Sequence, residues 1–426
     1  MTTFEAVLAA RAVDIVFQPI VELGTGEAVA FEALVRGPSP GPLATPGQLF
    51  AAAEERGRVA ELDRLCQERA VETALAAGLT GPFGLFVNVE PSAVDGQVPM
   101  PEQLEALRRS GVRLVVEFTE RALTSDPARL LAVADRAREE GWWVALDDVG
   151  AHPASLALMP FLRPDVIKLD LRLVQQRPDE TVAEIMTAVT AHAESCGAYV
   201  VAEGIETAEH EQAARSLGAT HGQGWYYGRP APLRRRPLNA VPGRPLELHR
   251  PLELPVGPSP YQVVARLRTP QRGSRPLLAE VSKLIERQAR QLGSSAVVLS
   301  TFERGRRFTS AAARRYAELV ESAAFVVVFA DGIDEEPIPG LRGADLVSDD
   351  PLTREWDLAV IGPHFAVALV ACDLTGDVDD HTRPFDYVLT YNRAIVLDVA
   401  RSLMDRILPT VPAASEVPAV ADPAPA

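Results

Sequence analysis

A chain of 426 residues, 47% hydrophobic, is long enough to bury two cores. Its 42 Lys and Arg against 58 Asp and Glu leave a net charge of -16, which excludes a general nucleic-acid coat or an anionic membrane surface as partner; a phosphate-bearing ligand must be met by local cations or metals. Cys66, Cys196 and Cys372 are too few and too far apart for a disulfide framework or a zinc cluster, and no apolar run approaches the roughly 18 residues of a membrane span, so a soluble, cytoplasmic protein is expected.

From the N-terminus, short apolar runs alternate with helical patterns. Strands are predicted over 15–20, 27–35, 84–89, 113–118, 143–147, 166–169, 198–202 and 222–227. Helices are predicted over 46–56, 62–77, 101–109, 127–140, 155–161, 179–196 and 208–217. This alternation implies an α/β fold, a TIM-like (β/α) barrel over residues 1–235, and the turn Gly24-Thr25-Gly26 makes the first two strands a hairpin, so one strand runs antiparallel.

In such a barrel the working groups stand at the C-terminal ends of the strands, and polar residues recur there: Glu32 and Arg36, Asn88, Glu117, Asp147 and Asp148, Lys168, Glu203 and Gln223. Singly, each is more often a solvated strand end or a helix cap; together they form a pattern. Hard oxygen donors from Glu, Asp and Asn suit Mg²⁺ or Mn²⁺, and several carboxylates can hold two such ions to clamp a phosphodiester and activate a water. Lys168 among these acids either positions or deprotonates the water, or stabilises charge on phosphorus, or forms an internal ion pair with Asp147, Asp148 or Glu203.

The residues Phe17-Gln18-Pro19-Ile20, Glu32-Ala33-Leu34-Val35-Arg36, Asn88 with Pro91, Glu117-Phe118-Thr119-Glu120, Asp147-Asp148-Val149-Gly150, Val166-Ile167-Lys168-Leu169-Asp170, Ala202-Glu203-Gly204-Ile205-Glu206 and Gly222-Gln223-Gly224 resemble the EAL family of cyclic di-GMP phosphodiesterases. The resemblance covers residues 1–230. It implies that Glu32, Asn88, Glu117, Asp147, Asp148 and Glu203 bind two divalent cations, Mg²⁺ or Mn²⁺, and that Lys168, with Glu32 and Glu203, carries hydrolysis to linear pGpG. Gln18, Leu34, Arg36, Asp170 and Gln223 would contact the substrate, Glu120 and Glu206 would brace loops, and a homodimer is implied.

The resemblance departs at Val149-Gly150-Ala151-His152-Pro153, where the family usually carries Phe-Gly-Thr/Ala-Gly before an aromatic or polar residue. Histidine and proline there restrict the backbone, which predicts low turnover; the alternative is a catalytically weak or inactive cyclic di-GMP receptor.

A Pro-rich linker, 236–259, is expected to hold a second domain near without fusing the two cores. That domain, 260–408, reads as a smaller α/β sandwich: helices over 277–292 and 310–322, strands over 296–302 and 324–330, a hairpin of 356–361 with 365–371, and a closing helix over 387–407. It resembles the DICT sensory domain through Phe329-Ala330-Asp331-Gly332-Ile333, Arg342-Gly343-Ala344-Asp345-Leu346 and Asp357-Leu358-Ala359-Val360-Ile361, which implies a regulatory role with a signalling partner or ligand of its own. The Pro/Ala-rich end, 409–426, is expected to be disordered.

Overall fold

The structure is a computed structural model that describes residues 3–90, 101–119, 126–150, 153–176, 179–233, 246, 259–374 and 383–407. A short helix, α1 (Phe4–Ala9), precedes the hairpin of β1 (Asp14–Glu22) and β2 (Ala28–Arg36). Then follow α2 (Pro46–Glu54), α3 (Val59–Ala76), β3 (Gly84–Asn88), α4 (Pro101–Ser110), β4 (Arg113–Thr119), α5 (Pro127–Glu139), β5 (Trp143–Val149), α6 (Pro153–Leu162) and β6 (Val166–Leu169). The short α7 (Leu171–Gln175), α8 (Glu180–Cys196), β7 (Tyr199–Ala202), α9 (Ala208–Ser216) and β8 (His221–Gln223) complete the first half.

Strands β1 to β8 close into a barrel, with β1 antiparallel to both β2 and β8 and every other pairing parallel. The one antiparallel strand is thus where the hairpin reading placed it. Side-chain caps start the helices: Thr45 and Gln48 form a reciprocal capping box on α2, and Asp126, Asp179 and Thr207 each accept a backbone N–H in the first turns of α5, α8 and α9. The barrel interior is filled by Ile20, Ala30, Phe86, Val115, Ala145, Val166 and Val201. Leu246 is buried among them, beside the first residue of β3. Of the expected linker only Leu246 and Ser259 are described, and both are buried.

The second half is a seven-stranded mixed sheet in the order β12-β11-β10-β13-β14-β15-β9. Its strands are β9 (Gln271–Ser274), β10 (Val297–Arg304), β11 (Phe325–Asp331), β12 (Arg342–Asp345), β13 (Glu355–Ile361), β14 (Ala366–Asp373) and β15 (Pro384–Thr390). Alternation along the strands separates two faces. Val298, Val328, Leu358 and Val360 pack with Leu278 and Ile285 of α11 (Arg275–Leu292) and Tyr316 and Leu319 of α12 (Ser310–Ser322). Val297, Leu299, Val327 and Ala359 share the other core with Val263 and Val264 of α10 (Pro260–Leu267) and Val396, Val399 and Leu403 of α13 (Arg393–Met404). The sandwich reading holds, but the closing helix over 387–407 does not: that stretch is a strand followed by a helix. Residues 384–390 pair with β14 and β9, and Asn392 starts α13 by accepting the Ile395 N–H at 3.3 Å.

The two cores are not separate, contrary to the tethered arrangement expected of the linker. Leu130, Met159, Leu162 and Val189 on the outside of the barrel belong to one apolar cluster with Val297, Ile361, Val399 and Leu403 of the second half. Around it Arg163 Nη2 meets Asp398 Oδ1 at 2.7 Å, with the Asp398 side chain 1% exposed, and Arg401 pairs with Asp135. His192 is buried here, its Nε2 without a hydrogen-bond partner among the described residues. Burial, then Arg393 and Arg163, lowers its pKa from 6.5 to about 4. The unfolded chain therefore takes up this proton first as pH falls, so stability declines from about pH 6.5 toward 4. Chemical denaturation of His192→Gln should lose about 2 kcal/mol less than the parent between pH 7 and pH 5. Equal losses would show that His192 does not contribute to acid sensitivity.

Candidate active site

Strand register brings the polar strand ends together at one barrel mouth: Gln18 lies opposite Glu32, Asn88 beside Glu117, and Thr119 beside Asp147. At the centre stands Lys168, 0% exposed. Its Nζ lies 2.8 Å from Glu117 Oε1, 2.8 Å from Glu203 Oε1, 3.0 Å from Asp147 Oδ1 and 3.5 Å from Glu32 Oε2. Glu32 also accepts hydrogen bonds from Gln223 Nε2 at 2.6 Å and Asn88 Nδ2 at 3.3 Å. Gln223 Nε2 reaches Gln18 Oε1 at 3.2 Å, and Gln18 in turn donates to the Gly228 carbonyl.

One buried cation thus faces four carboxylates. Burial alone would lower the Lys168 pKa, but Asp147, Glu117, Glu203 and Glu32 outweigh it and hold the ammonium well above the ordinary lysine range. Glu32 is pulled below the usual carboxylate range: burial opposes this, and Lys168, Gln223 and Asn88 prevail. Burial, against the pull of Lys168, pushes Glu117 well up and Glu203 up to about 8. Burial and then Asp147 raise Asp148 to about 6.

This excess of negative charge fits a cation. The Glu117 Oε2 and Gln223 Oε1 atoms are buried without a hydrogen-bond partner among the described residues, and Asp147, Asp148 and Glu203 place carboxylate oxygens within 4.8 Å of one another. Hard oxygens in this number suit Mg²⁺, Mn²⁺ or Ca²⁺. Asp148 holds a left-handed backbone, φ +58°, a strained conformation of the kind that clusters at functional sites. Gly150 follows at φ +104°, where an added Cβ would stand 2.7 Å from Leu173 Cδ1. Pro153 is the first residue of α6, a position that helices accept, while Ala151 and His152 lie outside the described residues.

Other expected residues stand apart from the Lys168 cluster. Leu34 lines a groove of about 360 Å³ with Glu32, Asn88 and Thr119, and the Arg36 Nη1 donates to the Val35 carbonyl at 2.8 Å. Asp170 caps α7, accepting from Arg172 N and Nε at 2.8 Å each. Glu206 is exposed, its backbone N–H donating to His210 Nδ1. Glu120 and the tail 409–426 lie outside the described residues. Sequence reasoning missed Asp63, buried in the same groove, which accepts from Gln67 Nε2 at 2.6 Å and the Glu90 N–H at 3.3 Å. Burial raises its pKa to about 8. The signal was a carboxylate between Leu62 and Leu65, on the buried side of α3.

Residues 3–230 match the family model described as the EAL domain, and residues 261–374 match DICT, a sensory domain in diguanylate cyclases and two-component systems. The cyclic di-GMP phosphodiesterase NbdA of Pseudomonas aeruginosa is 32% identical over 225 residues, covering 51% of this chain and 29% of that protein. The probable cyclic di-GMP phosphodiesterase PdeB of Escherichia coli is 28% identical over 227 residues, covering 52% and 43%. Klebsiella pneumoniae BlrP1, solved as a manganese and cyclic di-GMP complex, is 30% identical over 51% of this chain and 56% of its own, with a TM-score of 0.45. The chain spans less than half the length of these two curated relatives.

Proposed function

Because the chain belongs to the EAL domain family, we propose that its barrel hydrolyses cyclic di-GMP to linear pGpG with divalent metal ions. The observation that carries this reading is the Lys168 ammonium enclosed by Glu32, Glu117, Asp147 and Glu203 at the barrel mouth. Glu32, Asn88, Glu117, Asp147, Asp148 and Glu203 would hold two ions, Mg²⁺ or Mn²⁺. Such ions, when bound, neutralise the phosphodiester and acidify the attacking water. Lys168 keeps Asp147, Glu117 and Glu203 in register and, as a fixed donor, orients the water and stabilises charge developing on the phosphoryl oxygens. Gln223 and Asn88 fix Glu32 by hydrogen bonds. Arg36 would meet a phosphate, Leu34 a base, and Gln18 and Asp170 would complete the substrate contacts.

The departure at His152 and Pro153 favours the second reading, a receptor that binds cyclic di-GMP with little or no turnover. The two readings separate when the full chain, Mn²⁺ and cyclic di-GMP are followed for both binding and product. Accumulation of pGpG over many turnovers supports the enzyme, whereas saturable binding with intact nucleotide supports the receptor.

The second domain is proposed to set the rate. α6, which starts just after the loop beyond Asp148, packs against α13 and the Gly293–Ser295 turn. The barrel face carrying α6 is thereby covered by the same chain, so the proposed homodimer would use another face. Arg163→Ala leaves Asp398 buried without its ion pair, costing docking roughly 3 kcal/mol. Turnover should then rise at least threefold as the loop is released. An unchanged rate would show that this contact does not restrain the site.

A further inference from the structure

The face of the second sheet turned away from the barrel holds a cavity of about 240 Å³ between the sheet, α11 and α12. Phe302 and Trp356 reach it from the strands, and Tyr316 from α12. The Phe302 and Tyr316 rings meet edge-to-face at 5.4 Å, leaving a rigid aromatic wall. Two hydroxyls lining the cavity are deeply buried and make no hydrogen bond within 3.5 Å among the described residues: Ser282 Oγ, in a residue 6% exposed, and Tyr316 Oη, in a residue 0% exposed, with the Ser300 side chain as the polar group beside it. Orphaned buried hydroxyls cost about 1–3 kcal/mol each, so a fold that keeps two at one cavity wall has a reason to present them to something in the cavity. Burial keeps the Tyr316 hydroxyl neutral, and therefore a donor, across the working pH range.

Charge narrows the occupant. Arg275, Lys283, Arg307 and Arg315 line the cavity against only Glu286 and Glu303. Three of the cations are held in place by ion pairs, Arg315 to Glu286 at 2.6 Å, Arg307 to Glu303 at 2.8 Å and Lys283 to Glu280 at 2.7 Å, the last with a carboxylate outside the lining. The lining is thus net positive in a chain that is strongly acidic as a whole. Glu303 holds this arrangement with a left-handed backbone, φ +54°, fixed by its second ion pair to Arg383 at 2.6 Å. The volume is below the usual range for drug-sized ligands, which leaves room for one or two rings.

We propose that this cavity is a binding site for a small aromatic carboxylate, with its ring against Phe302, Tyr316 and Trp356, its carboxylate toward the arginines, and a polar ring substituent on Ser282 and Tyr316. The site is independent of the barrel chemistry. The test titrates the full chain with 4-hydroxybenzoate and indole-3-carboxylate, with hexanoate and phenol as controls lacking the ring or the charge. One aromatic acid should bind per chain and raise the melting temperature, with both controls at least tenfold weaker. Tyr316→Phe should weaken 4-hydroxybenzoate at least fivefold while the unliganded protein melts no lower, because the change only removes an orphaned hydroxyl. Ser282→Leu should fill the cavity and abolish binding, and Ser282→Ala guards against misfolding by weakening binding in a chain of parental melting temperature. Failure of both acids to saturate below millimolar concentration, equal binding of hexanoate, or binding unchanged in Tyr316→Phe and Ser282→Ala would each overturn the proposal.

Discussion

Lys168→Ala is expected to reduce cyclic di-GMP turnover by roughly a thousandfold, the scale on which a fixed donor acts at a developing charge. The same change removes the cation that, among the described residues, pairs with Glu32, Glu117, Asp147 and Glu203 within 3.5 Å. Without it Glu117 and Glu203, whose carboxyls burial already pushes up, lose the charge that pulls them down, so they hold protons more tightly in the folded chain than in the unfolded one. Acids with raised folded pKa values destabilise progressively as pH rises above their unfolded values. The variant in excess chelator should therefore lose melting temperature more steeply than the parent from pH 6 to pH 8, and added Mn²⁺ should restore much of the loss. Parental turnover in Lys168→Ala would remove the residue from the chemistry.

Glu203→Ala has the second largest expected effect, and its signature runs in two directions. Glu203 is one of three residues whose carboxylate oxygens converge within 4.8 Å, so its loss should weaken Mn²⁺ binding at least tenfold by calorimetry and abolish turnover. Without metal the residue is a burden: burial raises its pKa to about 8, so at higher pH its ionised form opposes folding. The chelated variant should melt higher than the chelated parent at pH 8.5, as expected where a fold carries strained charge for function. Unchanged Mn²⁺ affinity would place the metals elsewhere.

The barrel was legible because its strands are short β-branched and aliphatic runs ending in polar residues, as in Val144-Ala145-Leu146-Asp147, and its helices begin at recognisable caps such as Thr45 and Asp179. Most of the site was legible for the same reason, since a strand end fixes where a side chain goes. Six-residue α1 was not, because its Thr3 cap and the single i, i+3, i+4 set of Phe4, Val7 and Leu8 make less than two turns, too short a run for the spacing to stand out. Strands β9 and β12, Gln271-Arg272-Gly273-Ser274 and Arg342-Gly343-Ala344-Asp345, carry almost no apolar signal and exist through pairing at the sheet edges. The junction at Tyr391 and Asn392 was lost because Val388, Leu389, Ile395 and Val396 satisfy a helical spacing across the break. Docking of the two halves was invisible because apolar residues such as Met159 and Leu162 read equally well as the barrel's own packing. Asp63 depends on a neighbour in space, the Glu90 backbone, that spacing along the chain does not reveal.

The account rests on metals making an acidic barrel mouth hospitable to a phosphodiester. The most direct measurement follows cyclic di-GMP and pGpG over time with full-length protein stripped by excess chelator and then resupplied with Mn²⁺ or Mg²⁺. The account predicts no pGpG in chelator and its appearance at many turnovers per chain once either ion exceeds the chelator. Product formed at the same rate in chelator, or none formed with either ion, would contradict it.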